Sequence, residues 1–284
     1  MDWTQRRESF RQIISGNACI TPASVFDPLS ARMVEDLGGK VGMLAGSVAA
    51  MAILGAPDKT LITATEFSDM AFRICRAGNL AVIADADHGY GNAMNVQRTV
   101  SELDHAGLAA VTIEDTHLPQ PFGSKETKLL SLEEGVGKIK AALSGRSDPN
   151  MVILARTSAA TVNGLDDCIA RVKEYEKTGV DGIALIGVKS LKDLSVLCNT
   201  TRLPIMLGGI GSMEPDLDNL AKMGVRICLR GHQPYLAALA ATYSAIQQVL
   251  GNIQKTETTP LIENTLLQQL TRNSAYDDDA KRFL

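Results

Sequence analysis

Carboxylates crowd one short stretch of this chain. Ile83-Ala84-Asp85-Ala86-Asp87-His88-Gly89-Tyr90-Gly91 sets two aspartates two residues apart behind an aliphatic run, and Ile113-Glu114-Asp115 repeats the pattern further on. In a strand that spacing puts Asp85 and Asp87 on one face, about 7 Å apart. Carboxylates so close repel unless protons or a cation intervene. Three or four of them converging without a Cys-His cluster suit a hard divalent cation held largely through water, Mg²⁺ or Mn²⁺. Capping of helix N-termini or pairing with arginine is the other reading. Arg156, in Ala155-Arg156-Thr157, is either that counter-ion or a fork for a substrate carboxylate. Gly46-Ser47 offers small residues whose amides can approach an anion, or a simple turn. His232, in Arg230-Gly231-His232-Gln233, is a structural ring or a functional one. Gly208-Gly209-Ile210-Gly211 is a tight turn or an anion loop, and His88 is a candidate to support the aspartate pair. Nucleophilic catalysis has little support, since the chain has no Gly-x-Ser-x-Gly and no cysteine at an expected catalytic loop with a His beside it, and the HExxH zinc pattern is absent too.

All of these residues follow short aliphatic runs that alternate with helical periodicity. Strands are expected at 19–25, 41–45, 81–84, 110–113, 151–155, 182–186, 204–207 and 227–229. Helices are expected at 30–37, 66–77, 95–106, 132–143, 165–178, 191–198, 215–222 and 234–250. Eight such units predict an α/β fold, a parallel sheet closed into a (β/α)8 TIM-type barrel, with 1–284 as a single domain. The Gly-x-Gly-x-x-Gly of a dinucleotide-binding open sheet is missing after the first strand. In a barrel the C-terminal strand ends share one mouth, which would gather Asp85, Asp87, Glu114, Arg156 and His232. The polar stretch 252–260 reads as a linker to a helix at 261–270, so residues 252–284 form a C-terminal extension packing on the barrel or on a neighbouring subunit. Asp277-Asp278-Asp279 reads as a solvated tail, and the loop 116–131 as a lid or a plain surface loop.

Composition narrows the function classes. With 284 residues, 45% hydrophobic and 21% charged, the chain can bury a large core, which argues against wholesale disorder. A net charge of −4 with no basic block argues against nucleic acid as a partner. Five scattered cysteines suit reduced thiols in the cytoplasm, and no apolar run approaches the roughly 18 residues of a membrane span. A small molecule is the expected partner.

Taken together, Ala84-Asp85-Ala86-Asp87-His88-Gly89-Tyr90-Gly91, Val111-Thr112-Ile113-Glu114-Asp115, Ala155-Arg156-Thr157 and Leu207-Gly208-Gly209 resemble the isocitrate lyase and phosphoenolpyruvate mutase superfamily, over residues 13–250. The resemblance implies a (β/α)8 barrel with bound Mg²⁺ that acts on 2-oxo acids or their enol forms. It also implies a homotetramer whose last barrel helix is exchanged between partners. Residue by residue, it implies Asp85 as the direct metal ligand, with Asp58, Asp87 and Glu114 acting through water, and Arg156 as the clamp on a substrate carboxylate. The family's anion-binding turn reads Ser-Gly; Gly46 and Ser47 stand here in the reverse order as the matching substrate contacts.

Two departures narrow the reaction. Isocitrate and methylisocitrate lyases carry Lys-Lys/Arg-Cys-Gly-His after strand four, where this chain has Pro119-Gln120-Pro121-Phe122-Gly123-Ser124-Lys125 and no cysteine to act as acid. Lys125-Glu126-Thr127-Lys128 does not preserve the Lys-Thr-Asn-Ser-like loop of the phosphonate branch. Decarboxylation of a 2-oxo diacid needs neither, because chelation of the C1 carboxylate and C2 carbonyl lets the departing carboxylate's electrons collapse into an enolate. His232 after strand eight resembles the branch that decarboxylates oxaloacetate to pyruvate and CO₂, where it would orient the substrate near its reacting end. An oxaloacetate hydrolase, a substituted-malate lyase and a non-catalytic 2-oxo acid binding barrel are the other readings.

Overall fold

The computed structural model describes residues 2–124, 126–209, 216–251 and 260–283. The aliphatic runs pair in chain order as one eight-stranded sheet: β1 (Ala23–Ser24), β2 (Val41–Leu44), β3 (Ala81–Asp85), β4 (Ala110–Glu114), β5 (Val152–Thr157), β6 (Gly182–Ile186), β7 (Ile205–Gly208) and β8 (Val225–Cys228). Every pairing is parallel. A bridge between Ile20 and Ile227 joins the first run to the last. There the Ile20 N–H donates to the Arg226 carbonyl at 2.9 Å and the Cys228 N–H to the Ile20 carbonyl at 2.8 Å. The sheet thus curls round on itself as the expected (β/α)8 barrel. Alternate strand residues such as Met43, Ile83, Leu154 and Met206 fill the inside, and their neighbours pack outward against helices.

The helices are α1 (Thr4–Ser15), α2 (Pro28–Asp36), α3 (Gly46–Ala49), α4 (Ala64–Cys75), α5 (Ala93–His105), α6 (Leu132–Gly145), α7 (Ala159–Val162), α8 (Leu165–Glu176), α9 (Leu191–Cys198), α10 (Leu217–Lys222), α11 (Gln233–Val249), α12 (Asn264–Thr271) and α13 (Asn273–Phe283). A π-helical turn, Ala50–Leu54, continues α3. Capping boxes at Asp27/Ser30, Thr63/Glu66 and Asn92/Asn95 start α2, α4 and α5, so short polar loops return the chain from the mouth.

Several elements differ from the sequence pattern, the short helices α3 and α7 and the π-helical turn being additional to it. β1 is only two residues long, because Pro22 has no N–H to continue the pairing begun at Ile20. The additional helix α1 plugs the end opposite the mouth: Phe10 is fully buried, Arg7 donates from Nε to the Leu108 carbonyl at 3.0 Å, and Arg11 reaches the Asn150 carbonyl at 3.0 Å. The terminal helix is two helices, broken where Arg272 turns left-handed at φ 60°, and Asp277 to Asp279 lie on the exposed α13. The extension touches the barrel through Leu270, buried against α2, and through the Arg272 fork on Asp36 at 2.7 Å. Finally, α11 leaves most of its length exposed; Tyr235, edge-on to Phe26 at 5.1 Å, anchors its start. Among the described residues no helix is long and apolar enough to cross a membrane. The turn at Ile210-Gly211, the linker 252–259 and the start expected for α10 at 215 lie outside the described residues.

Candidate active site

Strand parity and register assemble the mouth. Asp85, Glu114 and Arg156 each extend an inward-facing row, behind Ile83, Thr112 and Leu154. Register sets Asp85 beside Thr112 and Glu114 beside Arg156. Arg156 Nη1 reaches Asp85 Oδ1 at 2.6 Å and Asp87 Oδ1 at 4.0 Å, while Nη2 reaches Glu114 Oε2 at 3.1 Å. Two threonines complete the carboxylates' bonding: Thr112 donates to Asp85 Oδ1 at 2.9 Å and Thr116 to Glu114 Oε2 at 3.0 Å. The guanidinium fork is thus spread across Asp85 and Glu114. Among the described residues no three His, Cys, Asp or Glu side chains stand in range of one ion.

Beyond β3 the chain turns sharply, with φ of 47° at Asp87, 76° at Gly89 and 60° at Tyr90. Left-handed backbone is free at glycine and costs about 1–2 kcal/mol at Asp87 and Tyr90. The Asp87 carboxylate lies against Gly46 so closely that a Cβ at 46 would sit 2.8 Å from Oδ2. That contact explains a glycine there. Ser47 is half-buried in the first turn of α3, directly after it. Asp58 is exposed on the loop after the π-helical turn, near enough that its charge bears on Asp87 and His232.

Charge is out of balance here. Burial first, and then the neighbouring Asp85, push the Asp87 carboxyl up to about 8, with Arg156 opposing. Burial likewise raises Glu114 against the pull of Arg156. Burial disfavours the Arg156 cation, but Asp85, Glu114 and Asp87 outweigh it and hold the guanidinium above its ordinary range. Its Nε is buried without a hydrogen-bond partner among the described residues. His232, in the loop from β8, is held below the ordinary imidazole value by burial, with Asp85 and Asp58 pulling the other way. Its Nδ1 lies 3.2 Å from Ser24 Oγ.

The mouth therefore brings Asp85, Asp87, Glu114 and Arg156 into one cluster, with Gly46 against it and Asp58 and His232 in its field. Asp115 does not join them, so the converging carboxylates number three. One residue beyond Glu114, it faces outward, accepting from Arg171 Nη1 at 3.0 Å and from the Tyr175 hydroxyl at 2.6 Å. His88 is buried and pushed down to about 4 by burial and by Lys138, with its Nδ1 unpartnered among the described residues. Thr112 and Thr116 donate into the cluster and Ser24 lies against His232, and sequence reasoning passed over all three. Parity could have found Thr112, two residues before Glu114. The loop 116–131 is pinned at its roots, where Thr116 bridges Leu129 and the Leu130 N–H donates to the Asp115 carbonyl at 2.8 Å. All five cysteines are buried, and none lies in that loop.

The chain is similar to known proteins over most of its length. The family model of phosphoenolpyruvate phosphomutase matches residues 10–250. An oxaloacetate decarboxylase of Rhodopseudomonas palustris (strain BisA53) is 47% identical over 284 residues, 100% of this chain and 98% of that protein. An oxaloacetate decarboxylase of Bradyrhizobium diazoefficiens is 53% identical over 247 residues, covering 87% of this chain and 86% of the relative. Among solved structures, a phosphoenolpyruvate phosphomutase from Streptomyces platensis subsp. rosaceus superposes with a TM-score of 0.87 at 25% identity, covering 98% of this chain and 99% of that one.

Proposed function

The chain belongs to the phosphoenolpyruvate phosphomutase family, and from that premise and the geometry of its mouth we propose that it is a carboxy-lyase converting oxaloacetate to pyruvate and CO₂. The observation that carries the reading is the gathering of three carboxyl groups round one buried guanidinium. One cation against three acids leaves Asp87 protonated near neutrality, a misfit that a divalent ion would relieve. Hard oxygen donors suit Mg²⁺, with Mn²⁺ as its substitute. Asp85 would be its direct ligand, and Asp58, Asp87 and Glu114 would act through water, a set that requires no three side chains on one ion.

Such an ion would supply a Lewis acid for the charge that develops at the C2 oxygen as the C3–C4 bond breaks and CO₂ leaves, and the enolate then takes a proton from water at C3 to give pyruvate. The protein's own groups fix the substrate. Arg156 binds the C1 carboxylate through the N–H groups left over from Asp85 and Glu114. Gly46 and Ser47 contact the same end through the turn of α3. His232, neutral at pH 7 because burial holds it low, donates to the substrate near the reacting carboxylate rather than adding a cation.

We also place the enzyme in the cytoplasm, in keeping with its five free thiols. The exposed apolar face of α11 supports a homotetramer in which that helix is exchanged between partners. The test of function is to follow oxaloacetate with purified protein by NMR, with Mg²⁺, Mn²⁺ or EDTA. Pyruvate is expected to form faster than with the metal alone and to stop rising above background in EDTA. Oxalate with acetate, or no protein-dependent turnover, would overturn the reading.

A further inference from the structure

Main-chain pairing across the seam between β8 and β1 is carried by an isolated bridge, Ile20 to Ile227. Above it, at the mouth, a side-chain contact spans the seam: Ser24 Oγ lies 3.2 Å from His232 Nδ1. Ser24 ends β1 in register with Met43 of β2, and it is 3% exposed. Its hydroxyl is therefore held in place by the strand. His232, by contrast, stands in a loop just after Gly231, whose φ is 88°, and immediately before α11. A loop imidazole has nothing in its own backbone to fix its ring.

The chemistry of a neutral imidazole makes that partner matter. It carries one N–H and one lone pair, and the group that occupies one nitrogen decides what the other presents. A lone pair on the second nitrogen would face an anionic substrate with negative charge, whereas an N–H would attract it. We propose that Ser24 is a positioning residue for this reaction: its hydroxyl donates to His232 Nδ1, and so keeps the proton on Nε2 as a donor toward the substrate. Substrate and reaction here rest on the decarboxylase reading above, but the state of the ring does not. Ser24 belongs to none of the motifs that carry the family resemblance.

Two measurements on the full-length protein with Mg²⁺ separate the possibilities. In ¹⁵N-labelled protein, long-range ¹H–¹⁵N spectra report the tautomer of each of the four histidines, and loss of one set in His232→Gln assigns it. The wild type is expected to hold His232 as the Nε2–H form, and Ser24→Ala to give a mixture. Kinetically, Ser24→Ala is expected to lower kcat/KM for oxaloacetate about tenfold, the scale of one hydrogen bond. Ser24→Thr, which keeps the hydroxyl, should recover most of the loss. In a His232→Ala background Ser24→Ala should add less than about twofold, because the two act as a unit. An Nδ1–H form in the wild type, or an equal loss in both backgrounds, overturns the proposal while leaving decarboxylation intact. If the wild type makes no pyruvate, the decarboxylase reading fails and the wild-type spectrum alone decides for or against Ser24. That spectrum also decides if the alanine variant does not fold.

Discussion

Asp87 shows how much of the site depends on single atoms. It holds a left-handed backbone at φ 47°, and its carboxylate fills the space where residue 46 would carry a Cβ. Gly46→Ala should push that carboxylate aside with little effect on the core. The expected outcome is a loss of more than about tenfold in kcat/KM, read by steady-state kinetics beside an unchanged circular dichroism spectrum. The same carboxyl gives a pH signature. Its value is raised to about 8 by burial and by Asp85, so below that pH it carries a proton that a cation must displace. Metal affinity should therefore rise as pH climbs toward 8 and level off above it. Calorimetric titration with Mn²⁺ at pH 6, 7 and 8, in buffers of different ionisation enthalpy, should show nearly one proton released at the two lower values and about half of one at pH 8; pH-independent affinity would contradict this. Asp85, Glu114 and Arg156 were legible in the sequence because period two in a strand fixes their face. The same parity turns Asp115 outward, although its sequence neighbour Glu114 points in. Thr112 was less legible, since its bond to Asp85 depends on the register between two strands, which a single chain does not display.

At the scale of elements, alternation revealed the strands and the helices that ring them, because each buries a stripe with its own period. It did not reveal α1. That segment reads as charged, yet Arg6 and Arg7 are buried and Phe10 and Ile14 close the barrel floor. The acceptors its arginines use are carbonyls and carboxylates distant in sequence, among them Asp104, 2.7 Å from Arg7. Burial alone would raise the Asp104 carboxyl. The Ser147 hydroxyl and N–H, with Arg7, more than offset it and leave the value below the usual 3.8. A folded value below the unfolded one means the stabilisation is present above about pH 4 and is lost as pH falls through the folded value. Asp104→Asn should cost about 3 kcal/mol near pH 7, the scale of a broken buried pair. The deficit should shrink as pH is lowered toward 3, since the wild type then loses the same charge. Urea unfolding across that range is the check; a deficit independent of pH would assign the loss to shape rather than charge.

Assembly is the property that the separate elements leave open. Leu236, Leu239, Tyr243 and Ile246 on α11, and Leu250 capping its end, recur at heptad spacing, and all five are exposed. The sequence shows the apolar positions, but it cannot say whether they face the chain's own barrel or another's, since both demand the same residue types. An apolar stripe of this length on a helix anchored mainly through its first turn calls for a cover. The proposed exchange of α11 between subunits would provide one, and it has a consequence for catalysis. His232 immediately precedes α11, and Tyr235 in the first turn packs on Phe26 beside β1. Whatever holds α11 in place therefore also steadies the loop that carries His232. Replacing Leu239 and Tyr243 together by glutamate should convert the assembly to smaller species in sedimentation velocity. It should also raise KM for oxaloacetate several-fold while metal binding at Asp85, which lies on β3 and not on the loop that carries His232, persists. Dissociation without any change in KM would separate assembly from the site, and a wild type that sediments as a monomer would remove the exchanged helix altogether.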